Sequence, residues 1–195
     1  MNKKSMLFFL AILFFGFLSF SQNNYERAYR IRKSQFPEKA LSYISEKLVD
    51  TKRIRFYKET ASSKTSFEAK FKKDRLWYGM AFDKEGVLED IGVLIKPVDI
   101  PDESYSKIES YLEGQFSKYS VRRIQQHYPI TDVSSAEKTM KNAFQNLMIP
   151  DMFYGLFVKG KKNETRTDYE ISFDTEGNFI AIREALPANY DRVLY

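Results

Sequence analysis

Apolar and polar residues alternate with a period of two along much of the middle of this chain. The clearest run sets Phe67, Ala69 and Phe71 between Glu68, Lys70 and Lys72, the in-out pattern of an antiparallel strand with one wetted face. Lys73-Asp74 turns the chain into Leu76 to Phe82, and Asp83 to Gly86 turns it again into Val87 to Ile95. Gly86 suits the left-handed position that short hairpin loops demand. Upstream, Ile54 and Phe56 alternate with Arg53, Arg55 and Tyr57 as a shorter strand, and Ala61 to Lys64 is a polar turn. Earlier still the period changes. Leu41, Ile44 and Leu48 recur at helical spacing behind Phe36-Pro37-Glu38, where a proline and an acid in the first turn open a helix. The pattern predicts a helix over Pro37 to Val49, then a four-stranded meander.

The pattern restarts after Lys96 to Asp102, where Pro97 and Pro101 break periodicity. Tyr105, Ile108, Leu112 and Phe116 share one helical face, and Val121 to Tyr128 is a strand whose register the sequence leaves open. Ser134 and Glu137 form a capping box before an amphipathic helix carrying Ala136, Met140, Ala143, Phe144 and Leu147, ended by Pro150. Met152 to Val158 reads as a central strand and Gly160 to Thr167 as a charged hairpin loop. Asp168 to Asp174 and Asn178 to Glu184 complete a second meander. The turn Phe82-Asp83-Lys84-Glu85-Gly86 returns as Phe173-Asp174-Thr175-Glu176-Gly177 at an offset of 91 residues.

The expected fold class is therefore α+β. Two similar units, each a helix packed on a four-stranded antiparallel sheet, occupy residues 36–96 and 104–186 and are joined by a linker at 97–103. The helix at 134–148 is an insertion in the second unit. Residues 22–35 read as a polar leader, loose or briefly helical, and 187–195 as a polar tail with aromatic ends.

Residues 1–21 add an address. Lys3 and Lys4 precede an apolar run from Met6 to Leu18, and Ser19 and Ser21 place small residues before a cut between Ser21 and Gln22. This is the layout of a secretory signal peptide. The apolar run is short of the ~20 residues a bilayer span requires. Removal of this segment points to the periplasm or the exterior, with no stable membrane insertion. Lys3 and Lys4 leave with it, so the formal charge falls from +5 to +3. Acids and bases then interleave along the chain, a solvated surface rather than a nucleic-acid footprint. Cysteine is absent, so stability comes from the core alone, and the 17 Phe and 13 Tyr, most of them after residue 21, supply it.

Candidate chemistry is sparse. His127 is the only histidine, too few for a zinc site and the one residue a Ser-His-Asp triad would have to use, and it reads as an ordinary surface or half-buried residue. Asp83, Glu85, Asp174 and Glu176 sit in short turns, where aspartate favours turn formation. No phosphate loop or metal-ligand series is present in the sequence, so no catalytic residue, cofactor or metal is expected. A surface is the better candidate. With Leu76, Tyr78, Met80 and Phe82 turned toward the helix, alternation puts Trp77, Gly79 and Ala81 on the other face. Tyr57, Arg53 and Arg55 join them if Ile54 and Phe56 point inward. Trp, Tyr and Arg are the types enriched at binding hot spots.

The order of a Pro-opened helix, strands and a Phe-Asp-x-x-Gly hairpin also resembles the PepSY-like proteins, exported bacterial domains similar in fold to the beta-lactamase inhibitor protein. The residues that carry it are Phe36 to Ile44, Arg55 to Glu59 and Phe82 to Gly86, then Ile100-Pro101, Ile108, Leu112, Phe116, Ile124 and Phe173 to Gly177. The resemblance spans roughly residues 34–186 and implies a tandem of helix-plus-sheet units that bind proteins or restrain secreted enzymes. The expected function is non-enzymatic binding of a protein or peptide in the envelope. The alternative is a small-ligand carrier with an aromatic pocket between helix and sheet.

Overall fold

The computed structural model of the chain describes residues 27–48, 50–61, 64–131 and 135–185. The expected signal peptide, the leader up to residue 26 and the tail at 187–195 lie outside the described residues. Nine strands, each hydrogen-bonded to its neighbours in chain order, make one antiparallel sheet. They are β1 Arg27–Ile31, β2 Lys52–Ala61, β3 Lys64–Lys73, β4 Leu76–Phe82, β5 Leu88–Ile95, β6 Lys118–Pro129, β7 Phe153–Lys162, β8 Thr165–Asp174 and β9 Phe179–Glu184. Helix α1 (Glu38–Lys47) follows β1, α2 (Asp102–Gln115) follows β5, and α3 (Ala136–Phe144) follows β6.

The turns show why these strands meet where they do. Asp74 and Arg75 both hold positive φ, as do Asn163 and Glu164, the requirement of tight two-residue hairpins that match strand twist. The second of these hairpins corrects the expected charged loop, because Gly160–Lys162 and Thr165–Thr167 are paired strand. In the two Phe-Asp-x-x-Gly turns the Asp N–H bonds the carbonyl of Val87 or Asn178 at 2.9 Å. Gly86 and Gly177 hold φ of 79° and 82°. Each turn also abuts the start of a helix: a Cβ on Gly86 would lie 2.9 Å from Ala40 N, and one on Gly177 would meet the Ser104 backbone.

Alternation gives the sheet two unlike faces. One carries Phe71, Tyr78, Met80, Phe82, Ile91, Val93, Tyr128, Tyr154, Leu156, Ile171 and Phe173, all buried. Helix α1 lies over its first part, with Tyr43 edge-on to Phe82 and Phe36 edge-on to the same ring. Helix α2 covers the far part through Ile108, Leu112 and Tyr111, the last edge-on to Phe173. Helix α3 fills the middle, where Phe144 meets Phe71 and Tyr78. Burial pushes the Tyr128 phenol up from its ordinary range, and its hydroxyl donates to the Leu147 carbonyl at 3.0 Å just beyond α3.

Two separate helix-on-four-strand units, the expected fold, are not what forms. Strand β5 pairs with β6 over Asp90–Ile95 and Ile124–Pro129, so the sheet runs unbroken between the halves. The supposed insertion is the second reason. Helix α3 belongs to the later half of the sequence yet packs on Phe71 and Tyr78 of the earlier half, and its Glu137 pairs with Lys47 of α1 at 2.9 Å. One core joins all three helices to the sheet. The leader differs as well. Arg27–Ile31 is neither loose nor helical but pairs with β2 as the first edge strand, with Ile31 opposite Phe56.

Candidate binding groove on the open face of the sheet

The face without helices is a groove of about 420 Å³ lined by residues from β1 to β9. Small residues lie along its floor. Gly79 and Ala81 come from β4, Gly92 from β5, Gly155 from β7 and Ala181 from β9. Register explains the line, since Gly79 stands opposite Gly92, which in turn stands opposite His127. Polar and aromatic side chains from neighbouring strands lean over this floor.

Most of its charges are paired. Lys70, buried against the Tyr57 ring at 4.9 Å, reaches Glu68 at 3.3 Å. Arg183 pairs with Glu170 across β8 and β9. His127 places Nδ1 2.7 Å from Asp90 Oδ2 and lies flat on Phe153, with ring centroids 4.8 Å apart and planes 7° from parallel. The other Asp90 oxygen is buried without a hydrogen-bond partner among the described residues.

Strand β6 crosses the groove between β5 and β7. Arg123, Gln125 and His127 alternate on the open face and stand opposite Phe157, Gly155 and Phe153 of β7. Gly155 is thus a saddle between two phenylalanines, and on its other side Ser172 of β8 stands opposite it. The imidazole occupies the space a side chain there would take: a Cβ on Gly155 would lie 2.9 Å from His127 Nε2.

The structure scatters the residues that the sequence singled out. Tyr57 is buried and lines the groove. Arg55 stands opposite Lys70, beside the groove and not in its lining. Trp77 is half-buried opposite Lys72, outside the lining. Arg53 falls in the irregular stretch between Lys52 and Arg55, with φ 60°, and Ile54 beside it is 37% exposed rather than turned inward. A bulge there breaks the strict alternation on which the grouping of Arg53 with Arg55 depended.

Arg123 and Gln125 escaped the sequence reading, and His127 reads there only as an ordinary surface or half-buried residue, because Gln126 spoils the signal. It is 1% exposed on the helix side, where alternation leads one to expect an apolar residue. Asp83 and Asp174 serve their turns: Asp83 Oδ1 accepts from Val87 N–H, and Asp174 Oδ1 accepts from Glu176 and Asn178 N–H.

Among solved structures the chain is similar to a DUF2874 family protein from Bacteroides uniformis, with 13% identity and a TM-score of 0.51 over 76% of this chain and 89% of that one. It is similar also to a protein from Bacteroides eggerthii provisionally described as periplasmic, at 11% identity and a TM-score of 0.51, over 76% and 88% of the two chains. At such identities the likeness shows the fold alone. No protein-family model matches, and no curated protein matches. The expected PepSY-like and beta-lactamase-inhibitor-like resemblance is corrected by these findings, since the neighbours carry the DUF2874 and periplasmic descriptions and the fold is one nine-stranded sheet. Among the described residues no helix is long and apolar enough to cross a membrane.

Proposed function

We propose that this chain is an exported binding protein that holds an extended polypeptide segment along the open-face groove. The groove itself carries the reading. Tyr57, Phe153 and Phe157 offer apolar walls, while Glu68, Gln125 and His127 lie over Gly79, Gly92 and Gly155 and present polar groups to a bound backbone. Its volume falls in the range of ligand sites, roughly 300–1,000 Å³. Extended peptides place successive side chains on alternate sides, which suits a floor bordered by unlike strands. Export rests on the layout of residues 1–21, with cleavage after Ser21, and it accords with the periplasmic description of the Bacteroides eggerthii neighbour.

A carrier pocket between helix and sheet has less support. That layer is filled by rings, with Phe71, Tyr78 and Phe144 in mutual contact on one side and Tyr111, Phe173 and Phe179 on the other.

Display selection tests the peptide reading. Random dodecapeptides are selected on the chain beginning at Gln22 and then measured against Ala81→Arg, whose long side chain fills the groove beside Glu68 and Asp90. Groove binders lose tenfold or more in affinity while circular dichroism stays unchanged. Peptides that ignore the substitution, or no selected peptides at all, remove the proposal.

A further inference from the structure

We propose that the saddle around Gly155 is a carboxylate subsite, built to take the free carboxyl end of a bound peptide; the inference rests on the groove being a polypeptide site. Four cationic or potentially cationic side chains line the groove, and three have a carboxylate partner: Lys70 has Glu68, Arg183 has Glu170 and His127 has Asp90. Arg123 is the exception. Among the described residues its guanidinium has a single contact, the Phe157 ring at 5.5 Å, and no acid. A guanidinium held flat on a ring keeps its in-plane donors, the geometry that takes a carboxylate in two parallel bonds.

Other unused groups converge on the same place. The Ser172 hydroxyl and Nε2 of His127 form no hydrogen bond with the described residues and both adjoin Gly155, whereas the Gln125 amide leans over Gly92 of β5. Ser172 is the register partner of Gly155 on β8, and His127 Nε2 lies above it. Arg123 follows one same-face step from Gln125 along β6, about 7 Å away by strand rise. The neighbouring acids are occupied, Glu170 by Arg183 and Asp90 by the imidazole. His127 presents Nε2 to this position while Nδ1 faces Asp90. Phe153 and Phe157 flank the position along β7.

The sole histidine gives an assigned reporter without labelling schemes. Acetyl-Ala-Ala-Ala-Phe is titrated as the free acid and as the carboxamide, with 3-phenylpropanoate as a small free carboxylate, while the His127 ring resonances are followed. The free acid is expected to bind at least tenfold more tightly than the amide and to shift the ring signals. In Arg123→Met, which keeps the stem on Phe157, that preference disappears and amide binding is unchanged. Equal binding of acid and amide overturns the carboxylate subsite and leaves the peptide groove standing. Persistence of the preference in Arg123→Met overturns it too. Arg123-dependent binding of 3-phenylpropanoate without either peptide supports the carboxylate site and overturns the peptide source. Binding of none of the three overturns the subsite, and the Ala81→Arg selection then decides the groove separately.

Discussion

The two faces of this one sheet share every strand and almost nothing else. On the helix side, residues such as Phe82, Ile91, Tyr154 and Phe173 are fully buried and touch one another in a continuous layer. On the open side the equivalent positions of the same strands are Ala81, Asp90, Gly155 and Ser172. Large apolar side chains on the first face stabilise by removal from water, about 1.5–3 kcal/mol each. The second face buries few side chains, Tyr57 and Lys70 among them, and keeps polar groups spaced over a low floor. A sheet needs only one covered face to be stable, so the other is free to carry function.

Truncation separates the faces most strongly. Phe173→Ala opens a cavity in the helix-side layer beside Tyr111 and is expected to cost about 3–5 kcal/mol. The melting temperature then falls by roughly 6–20 °C. Phe157→Ala, on the open face against Arg123, is expected to cost less than about 1.5 kcal/mol. Chemical denaturation measures both. Equal losses mean that the open face is a second core and that the contrast fails.

Glycine substitutions test the same contrast with opposite signs. Gly155→Ala drives a Cβ against the imidazole, 2.9 Å from Nε2, and is expected to destabilise by about 1–3 kcal/mol as the ring leaves Phe153. Gly114→Ala, in helix α2 with nothing within 4 Å of the new Cβ, is expected to stabilise by about 0.5–1 kcal/mol. A His127 ring whose chemical shifts do not move in Gly155→Ala contradicts the packing of the imidazole over Gly155.

How legible these faces were follows from the residues. Strands β3 and β4 and their hairpin were readable because Phe67, Ala69 and Phe71 alternate strictly and Gly86 marks the next turn. Helices α1 and α2 declared themselves through Pro37 and Pro101 at their starts. The single sheet did not, because the β5–β6 pairing joins segments separated by α2, and no local pattern encodes it. Repeated turns suggested repeated units, while the side chains of α3 that unite the halves, Phe144 and Met140, carry no mark of which strands they will cover. The groove was hidden for a further reason. Its key strand, β6, has polar residues on both faces, Gln126 inward and Gln125 outward, so its phase could not be assigned.

Asp174 offers a smaller test, at the turn that seats α2 on the helix side. Burial raises its pKa, but hydrogen bonds from the Asn178 side chain and backbone and from Glu176 N–H, with Lys107 nearby, outweigh that and leave it below the usual carboxylate value. A carboxyl held lower in the folded chain than in the unfolded one stabilises above its unfolded pKa. That stabilisation is lost as pH falls through the folded value. Thermal melts from pH 7 down to pH 2 are therefore expected to show a shallower acid-side fall in Asp174→Ala than in the parent. Asp174→Ala should also melt lower at neutral pH. Parallel curves refute the role of the carboxylate.

The smallest expected effect belongs to Arg123. Among the described residues its guanidinium has no acid to lose, and Met replaces its stem on Phe157, so Arg123→Met is expected to leave stability within about 0.5 kcal/mol of the parent. Arg183→Met is the control, because it strands Glu170 on the neighbouring strand and removes an ion pair, a loss of up to about 1 kcal/mol at an exposed site. A cation that lines a groove and contributes nothing to folding is kept for something else. If Arg123→Met destabilises as much as Arg183→Met, Arg123 is part of the scaffold, and the open face carries one fewer group reserved for a ligand.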